Sequence, residues 1–289
     1  MKKLLNEHEA LAVAAENSKL CNFSVGIAAL KAQSPSLFDE SINFCKTGNY
    51  SSHIHLQEIR EEVTAVRNEE GLTPIQFCSK KGLFDFPTVA AHCVWIDSED
   101  IEILSEKSVG VAHNPISNMI LASGICPVPE LRSLGVNVGI GIDGAGSNDS
   151  QDMLQSIKIT PLLQRVKKMQ ATALSSRDAF QMATIEGAKV LGVEKELGSL
   201  EIGKKADFVV LDGDSPVLAN IHDPFQAVVY CAGKSEVKEV WVDGEMILKD
   251  GEVVNISKDE VVKQSKKQAL KLVDAAGLSN LSYLSLIHI

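Results

Sequence analysis

Histidine, aspartate and glutamate follow apolar, strand-like runs at several points of the sequence. Four such places carry potential metal ligands or proton carriers: HLQE at 55–58, AHC at 91–93, HNPISN at 113–118 and GIDG at 141–144. In a parallel barrel the carboxyl ends of the strands surround one opening, so side chains far apart in sequence can meet there. Imidazole nitrogen and carboxylate oxygen bind divalent cations, and a cation with an open coordination position lowers the pKa of a bound water. The pattern therefore predicts a metal-assisted hydrolase.

The composition is that of an ordinary globular protein. The chain has 289 residues, of which 45% are hydrophobic and 23% are charged,. Its formal net charge of −10 would repel a nucleic-acid backbone, so we expect a small-molecule substrate and no nucleic-acid partner,. The six cysteines form no C-x-x-C pair, and acidic residues interrupt the N-terminal apolar run before it reaches the length of a signal peptide or membrane span. These features predict a cytoplasmic protein without a membrane segment.

Strands and helices alternate along the first two thirds of the sequence. Apolar runs rich in β-branched residues predict five strands, at 23–30, 53–56, 88–94, 109–113 and 136–142,. Amphipathic stretches separate most of them, such as a helix that starts at Asp97 or Ser98 and another predicted from Ser175 to Gly192,. Strands that alternate with helices indicate a parallel sheet covered by helices, although a closed barrel needs eight strands.

The pattern changes after Gly198. Short runs at 206–212, 227–231 and 237–248, with a turn at Asp243-Gly244, predict antiparallel strands, and a lysine-rich helix follows at about 257–276,. We therefore predict four regions, which are a partial metal-dependent hydrolase barrel at 1–197, a β-domain at 198–256, a C-terminal helix at 257–278 and a non-native or disordered tail at 279–289,.

Six motifs in a fixed order resemble those of the amidohydrolase superfamily. They are HLQE, AAHC, HNPISN, GIDGAGSN, MATIEGAKVLG and GSLEIGKKADFVVLD. The nearest branch contains methylthioadenosine and S-adenosylhomocysteine deaminases, guanine deaminases and s-triazine chlorohydrolases. The resemblance implies an α/β fold, a (β/α)8 TIM barrel with a small β-sandwich built from both chain ends, in which the five strands correspond to the fourth to eighth. The first-strand His-x-His pair of the family has no counterpart, so we expect an incomplete barrel that is truncated at its N-terminus.

The resemblance also implies roles for individual residues. His55 and Asp143 correspond to the fifth-strand and eighth-strand metal ligands, with zinc as the expected metal and iron or manganese as alternatives. Glu58 corresponds to the proton shuttle, and its place three residues after His55 would let its carboxylate reach over the water on the metal. Asp143 would also accept a proton from that water, and His92 would orient it or stabilise the oxyanion.

Further polar residues are predicted to contact the substrate. Asn118, Ser147 and Glu58 itself belong to this group, and Asn148 is a further polar residue expected in the wall of the site or directly behind it. Gln33 also belongs to this group, and it stands near the position where nucleoside deaminases of this branch often have histidine. Glutamine can donate and accept hydrogen bonds but cannot titrate, so the particular substrate is left open.

Two other histidines have alternative interpretations. His53 lies two residues before His55, hence on the same face of an alternating strand, and could be a further ligand or a structural residue,. His113 begins an HNP turn, which could belong to the site or simply shape the loop after a strand,.

Together these features predict a metal-dependent amidohydrolase. We expect it to deaminate an amino-substituted nitrogen heterocycle, such as a purine or nucleoside, with release of ammonia. Dechlorination of an s-triazine is the alternative enzyme activity, because it needs the same nucleophile. A catalytically inactive fragment or metal-free binding protein is the third hypothesis, since only two of the four expected ligands are present. A homo-oligomer is expected only for a full-length form.

Overall fold

The chain forms two compact units, and the computed structural model describes residues 2–278. Of the described residues, the first unit contains 2–205 and 213–236, and the second contains 206–212 and 237–278. The domain boundaries proposed from sequence stay predictions. The tail predicted at 279–289 lies outside the described residues.

A parallel sheet forms the centre of the first unit. Its strands lie side by side in chain order and are β1 (Ser24–Ile27), β2 (Ser51–Leu56), β3 (Thr88–His92), β4 (Gly110–His113) and β5 (Val138–Ile140). Each overlaps one of the five runs predicted from sequence. Among the described residues β1 and β5 are the outer strands, so the sheet is an open, incomplete barrel, which confirms the predicted fold class. All five carboxyl ends lie at one edge.

Helices connect and cover the strands. Within residues 2–278 they are α1 (Lys2–Glu16), α2 (Pro35–Gly48), α3 (Arg60–Glu70), α4 (Pro74–Lys80), α5 (Ser98–Glu106), α6 (Pro115–Ile120), α7 (Val128–Ser133), α8 (Met153–Lys168), α9 (Ser176–Met182), α10 (Ile185–Val190), α11 (Pro224–Gln226) and α12 (Lys258–Ala275). None of the helices in this described part is long and apolar enough to cross a membrane.

Alternation along β2 sorts its side chains between two faces. Ile54 and Leu56 are fully buried in the main hydrophobic core, whereas His53 and His55 share the opposite, partly exposed face,. Leu56 pairs with His92, so the ends of β2 and β3 lie side by side.

Capping residues begin the helices where the sequence predicted them, but one predicted helix is broken. Asp97 caps α5 and Ser175 caps α9, each through a reciprocal capping box,. The helix predicted from Ser175 to Gly192 is interrupted at Thr184 (φ −126°, ψ −103°) and continues as α10. After the break, α10 packs closely on the sheet. A Cβ at Gly139 of β5 would lie only 3.0 Å from the Cα of Gly187 in α10.

The second unit contains an antiparallel sheet. Its strands lie in the order β6 (Phe208–Leu211), β7 (Val237–Val242), β8 (Glu245–Lys249) and β9 (Glu252–Val253). The predicted turn at Asp243-Gly244 joins β7 to β8, with positive φ angles of 49° and 79°. The predicted C-terminal helix is present as α12.

The strand predicted at 227–231 is wrong. This segment is a π-helical turn in the first unit that continues from α11, whose first amides are capped by the Asp223 side chain. Val229 is fully buried in a small cluster with Ile157 and Ala179. Packing in this cluster therefore overrides the strand preference of the β-branched residues.

Candidate metal and catalytic site

Three potential metal ligands meet at the carboxyl edge of the parallel sheet. His55 near the end of β2, His92 at the end of β3 and Asp143 after β5 each offer one donor atom, and these atoms all lie within 4.8 Å of one another. The rings of His55 and His92 are stacked, with centroids 5.4 Å apart. The predicted convergence of distant motifs is therefore present in this structure.

A hydrogen bond fixes which nitrogen of His55 is available. Its Nδ1 lies 2.5 Å from the carbonyl oxygen of Ala28, and since a carbonyl only accepts, Nδ1 carries the proton,. The other ring nitrogen, Nε2, is left with its lone pair. A backbone carbonyl on one ring nitrogen is the usual way to orient a metal-binding histidine.

A hydrogen bond with Asn118 fixes which ring nitrogen of His92 carries the proton. Oδ1 of Asn118 lies 2.8 Å from Nδ1 of His92, and both side chains are buried. With Oδ1 as the acceptor, Nδ1 holds the proton and Nε2 is an acceptor or ligand. Asn118 was predicted to contact the substrate; its observed contact is with the side of His92 opposite Nε2.

Glu58 lies beside His92. Its Oε2 is 3.8 Å from Nε2 of His92, while Oε1 accepts a hydrogen bond of 3.0 Å from the Ser123 hydroxyl. The Glu58 side chain is 24% exposed, whereas His92 is 1% exposed. The carboxylate can therefore reach both a bound molecule and the buried cluster.

Asp143 is held as a carboxylate. Burial acts to raise its pKa, but hydrogen bonds from the Ser117 hydroxyl (2.6 Å), the Gly144 amide (2.7 Å) and Ser147, with the nearby His92, outweigh this effect and lower the pKa. Hydrogen bonds that donate to a carboxylate favour its charged form. Asp143 thus presents anionic oxygen to the cluster at neutral pH.

The remaining predicted site residues lie in loops at the same edge. Besides its interaction with Asp143, Ser147 donates to the Gly144 carbonyl (3.1 Å), and Asn148 donates to the Ile142 carbonyl (2.8 Å). Gln33 ends the 3₁₀ turn that follows β1, and its Nε2 is buried without a hydrogen-bond partner among the described residues. Substrate contact by Gln33, Asn118 and Ser147 stays a prediction.

The two ambiguous histidines lie outside the group of three donors. Burial and the neighbouring His55 and His92 lower the pKa of His53, whose ring centroid is 5.9 Å from that of His55. His113 is fully buried, and burial lowers its pKa to about 3, so it is neutral. Neither of its ring nitrogens has a hydrogen-bond partner in the part of the chain that is described.

A buried polar network supports the turn between His55 and Glu58, and the sequence did not reveal it. Gln57 is fully buried, with its Nε2 donating to the Trp95 carbonyl (2.6 Å) and to Asp100 (2.9 Å), while its Oε1 accepts from the Ile75 amide (3.0 Å). These partners lie 18 to 43 residues away, so no local pattern indicated them. The sequence shows Gln57 only as one of several polar residues at the end of β2, which does not distinguish it from its neighbours.

An open parallel sheet with two histidines, a carboxylate that could bind a metal and a second carboxylate at its carboxyl edge is the arrangement expected of barrel-type metal-dependent hydrolases. The sequence profile of the amidohydrolase family matches residues 4–247, and the chain belongs to this family. The resemblance drawn from the six motifs is therefore confirmed.

The relatives in sequence include nucleoside deaminases. A 5'-deoxyadenosine deaminase from Methanopyrus kandleri is 42% identical over 256 residues, which are 89% of this chain and 59% of the relative. A 5-methylthioadenosine/S-adenosylhomocysteine deaminase from Moorella thermoacetica is 44% identical over 219 residues, which are 76% of this chain and 51% of the relative. The chain thus spans little more than half the length of these relatives.

Solved structures share the fold. An adenosine deaminase from Xanthomonas campestris with bound zinc has a TM-score of 0.89 and 27% identity, and the match covers 92% of this chain and 61% of that one. An atrazine chlorohydrolase from Arthrobacter aurescens complexed with zinc has a TM-score of 0.84 at 22% identity, covering 92% and 59%, which shows similarity of fold alone.

Proposed function

We propose that this chain provides the catalytic edge of a metal-dependent amidohydrolase that deaminates an amino-substituted nitrogen heterocycle and releases ammonia. The observation that carries the proposal is the convergence of His55, His92 and Asp143, with Glu58 beside them. The site is proposed to act on a small molecule, in the cytoplasm, and in a homo-oligomer in any longer form of the protein.

The donor set fits a divalent cation, and zinc is the proposed metal. Two imidazole nitrogens and one carboxylate oxygen within 4.8 Å of one another match the three protein ligands that catalytic zinc sites commonly have,. Hydrogen bonds leave Nε2 of His55 and of His92 with free lone pairs. A bound cation would supply the positive charge that lowers the pKa of a water and polarises the substrate. Iron and manganese remain alternatives.

The residues around the donors divide the proton transfers. Asp143, an acceptor at neutral pH, takes a proton from the attacking water,. Glu58, partly exposed, carries a proton to a ring nitrogen of the heterocycle. His92, with its proton on Nδ1, orients the water by accepting a hydrogen bond at Nε2 or serves as a ligand. Its other predicted role, stabilising an oxyanion, would require a proton on Nε2.

A purine nucleoside is the favoured substrate class. The sequence relatives at 42% and 44% identity are named for 5'-deoxyadenosine and for methylthioadenosine and S-adenosylhomocysteine. Gln33, with a buried amide nitrogen that lacks a partner among the described residues, is proposed to hydrogen-bond the substrate. Dechlorination of an s-triazine is the second candidate, because it needs the same activated water.

The test is product release from purified chain loaded with zinc. The chain is incubated with 5'-deoxyadenosine, methylthioadenosine, guanine and atrazine, and both ammonia and chloride are measured. We expect ammonia from a nucleoside. Asp143→Asn should abolish it, and Glu58→Gln should lower kcat on the order of 10²-fold. The exposed residues Asp149 and Glu61 offer matched controls, since Asp149→Asn and Glu61→Gln should leave the rate unchanged.

The other outcomes reject either the proposed activity or the role assigned to Asp143. Chloride release from atrazine without ammonia would support the chlorohydrolase alternative. If neither ammonia nor chloride is released, whether or not the chain binds zinc, the result would support the hypothesis of a catalytically inactive fragment. Full activity in Asp143→Asn would contradict the assigned role of this carboxylate.

A further inference from the structure

Side chains of the segment Ser117–Ser123 form hydrogen bonds with three of the four site residues, namely His92, Glu58 and Asp143. Ser117 and Asn118 belong to α6, and Ser123 lies in the turn that follows it. We infer that this segment is the positioning element of the site, which fixes His92, Glu58 and Asp143 relative to one another. The inference rests on the proposed function and adds positioning residues to it.

Each contact is a hydrogen bond that a buried side chain of the segment donates or accepts. The Ser117 hydroxyl donates to Oδ2 of Asp143 (2.6 Å), and Oδ1 of Asn118 accepts from Nδ1 of His92 (2.8 Å). The hydroxyl of Ser123 donates to Oε1 of Glu58 (3.0 Å). The three residues are 1%, 0% and 3% exposed, respectively, so water competes little for these bonds,.

The backbone of the segment is itself fixed. The Ser123 amide donates to the Asn118 carbonyl (2.8 Å), and the Ser123 carbonyl accepts from the indole Nε1 of Trp95 (2.8 Å). Hydrogen bonds therefore run from His92 through Asn118 and Ser123 to Glu58. Oε2 of Glu58 in turn lies 3.8 Å from Nε2 of His92, so the series of contacts begins and ends at His92.

A tight turn brings Ser123 to Glu58. Ala122 has φ of 56° and Gly124 has φ of 123°. A Cβ at Gly124 would lie 2.8 Å from Cγ1 of Val94, so the turn packs directly on the loop that follows β3. Because that loop continues from His92, the turn and the histidine are held by the same part of the chain.

These contacts have two consequences for chemistry. Asn118 selects the Nδ1-protonated tautomer of His92 and leaves Nε2 as an acceptor. Ser123 holds the Glu58 carboxylate beside that nitrogen, where a displacement of about 1 Å can cost on the order of 100-fold in rate. Neither Asn118 nor Ser123 needs to touch the substrate, so both are positioning residues.

The first experiment measures the tautomer and does not depend on activity. Long-range ¹H–¹⁵N NMR of the uniformly ¹⁵N-labelled full chain at fixed pH, with the His92 signals assigned through His92→Gln, reports which ring nitrogen is protonated. We expect a single Nδ1-H tautomer in the parent chain and a mixture of tautomers in Asn118→Ala. An unchanged His92 spectrum in folded Asn118→Ala would overturn the inference.

The second experiment separates positioning from binding. In the zinc-loaded full chain, Ser123→Ala should lower kcat by about 10- to 100-fold with KM within about twofold of the parent, and Ser123→Thr, which retains the hydroxyl, should restore most of the rate. Ser133→Ala is the matched control, because Ser133 is exposed and its hydroxyl donates to a carbonyl of its own helix, α7. An unchanged kcat in Ser123→Ala, or a loss that Ser123→Thr does not restore, would overturn the role of Ser123.

The two experiments distinguish failure of this inference from failure of the proposed function. If the parent chain releases no ammonia, the proposed function fails, and the tautomer of His92 in Asn118→Ala still decides whether the segment positions the site. If the parent chain is active and the tautomer is unchanged, the function stands and the positioning role is rejected.

Discussion

Glu62 makes the stability of the first unit depend on pH. It lies in the first turn of α3, four residues after Glu58, and is only 9% exposed. Burial raises its pKa from 4.5 to about 7; hydrogen bonds from the Gln57 and Glu58 amides act in the opposite direction, and the charge of Glu58 adds a smaller increase. Its Oε1 has no hydrogen-bond partner among the described residues.

The sign and size of the effect follow from these values. Below pH 4.5 the carboxyl group is protonated in both the folded and the unfolded chain. As the pH rises from there to about 7, the unfolded chain loses the proton first, so the free energy of unfolding falls,. One pKa unit corresponds to about 1.4 kcal/mol, and the total loss above pH 7 is therefore about 3 kcal/mol. That is a large part of the 5–15 kcal/mol typical of a domain.

Glu62→Gln removes this dependence, because the amide is neutral at every pH. We expect the variant to be about 3 kcal/mol more stable than the parent at pH 8 and nearly equal to it at pH 4.5. Urea unfolding, followed by tryptophan fluorescence at a series of pH values, measures the difference. Glu61→Gln, at an exposed neighbour, should follow the parent curve. If Glu62→Gln and the parent lose stability in parallel between pH 4.5 and 8, the reasoning is refuted.

Three further predictions concern packing, the polar network and the metal. Gln57→Leu leaves the Trp95 carbonyl, Asp100 and the Ile75 amide each without one hydrogen-bond partner. We therefore expect urea unfolding to show a free energy of unfolding about 3–6 kcal/mol lower than that of the parent. A decrease below about 1 kcal/mol would contradict the importance of the network. Gly110→Ala places a Cβ about 3 Å from the backbone of Val190 in α10 and should lower the free energy of unfolding by about 1–3 kcal/mol,. Gly26→Ala is the control, because its Cβ meets nothing within 4 Å and should change stability little. Equal effects of the two substitutions would refute the packing argument. Zinc stoichiometry after dialysis should fall in His55→Ala and in His92→Ala but not in His53→Ala, and retention of zinc by His92→Ala would remove His92 from the ligand set.

The strands and the residues at their ends could be predicted because their signals are local. Apolar runs marked each strand of the parallel sheet, and the placement of His55, His92 and Asp143 after those runs indicated one shared edge. The motifs also indicated the family, which the profile match confirms. Such signals depend on neighbours in sequence and survive without knowledge of the tertiary structure.

The sequence predictions were wrong or incomplete where packing between distant segments determines the local structure. The helix break at Thr184 accompanies the close approach of Gly187 to Gly139, and the π-helical turn at 227–231 accompanies burial of Val229. Ser123 escaped notice because its partner Glu58 is 65 residues away, and the bond forms only when the turn after α6 reaches across the edge of the sheet.

Backbone strain at the site links its stability to its chemistry. Gln57, His92 and Asp143 each follow or end a strand with positive φ, at 51°, 73° and 60°, which costs non-glycine residues of order 1–3 kcal/mol each,. A glycine would relieve the strain but would carry no side chain to the site. Each of the three is instead held by a side-chain hydrogen bond: Gln57 donates to Asp100, His92 donates to Asn118, and Asp143 accepts from Ser117. The same contacts that offset the strain also orient the side chains of His92 and Asp143, so substitutions at Asn118 or Ser117 should affect folding and site geometry together.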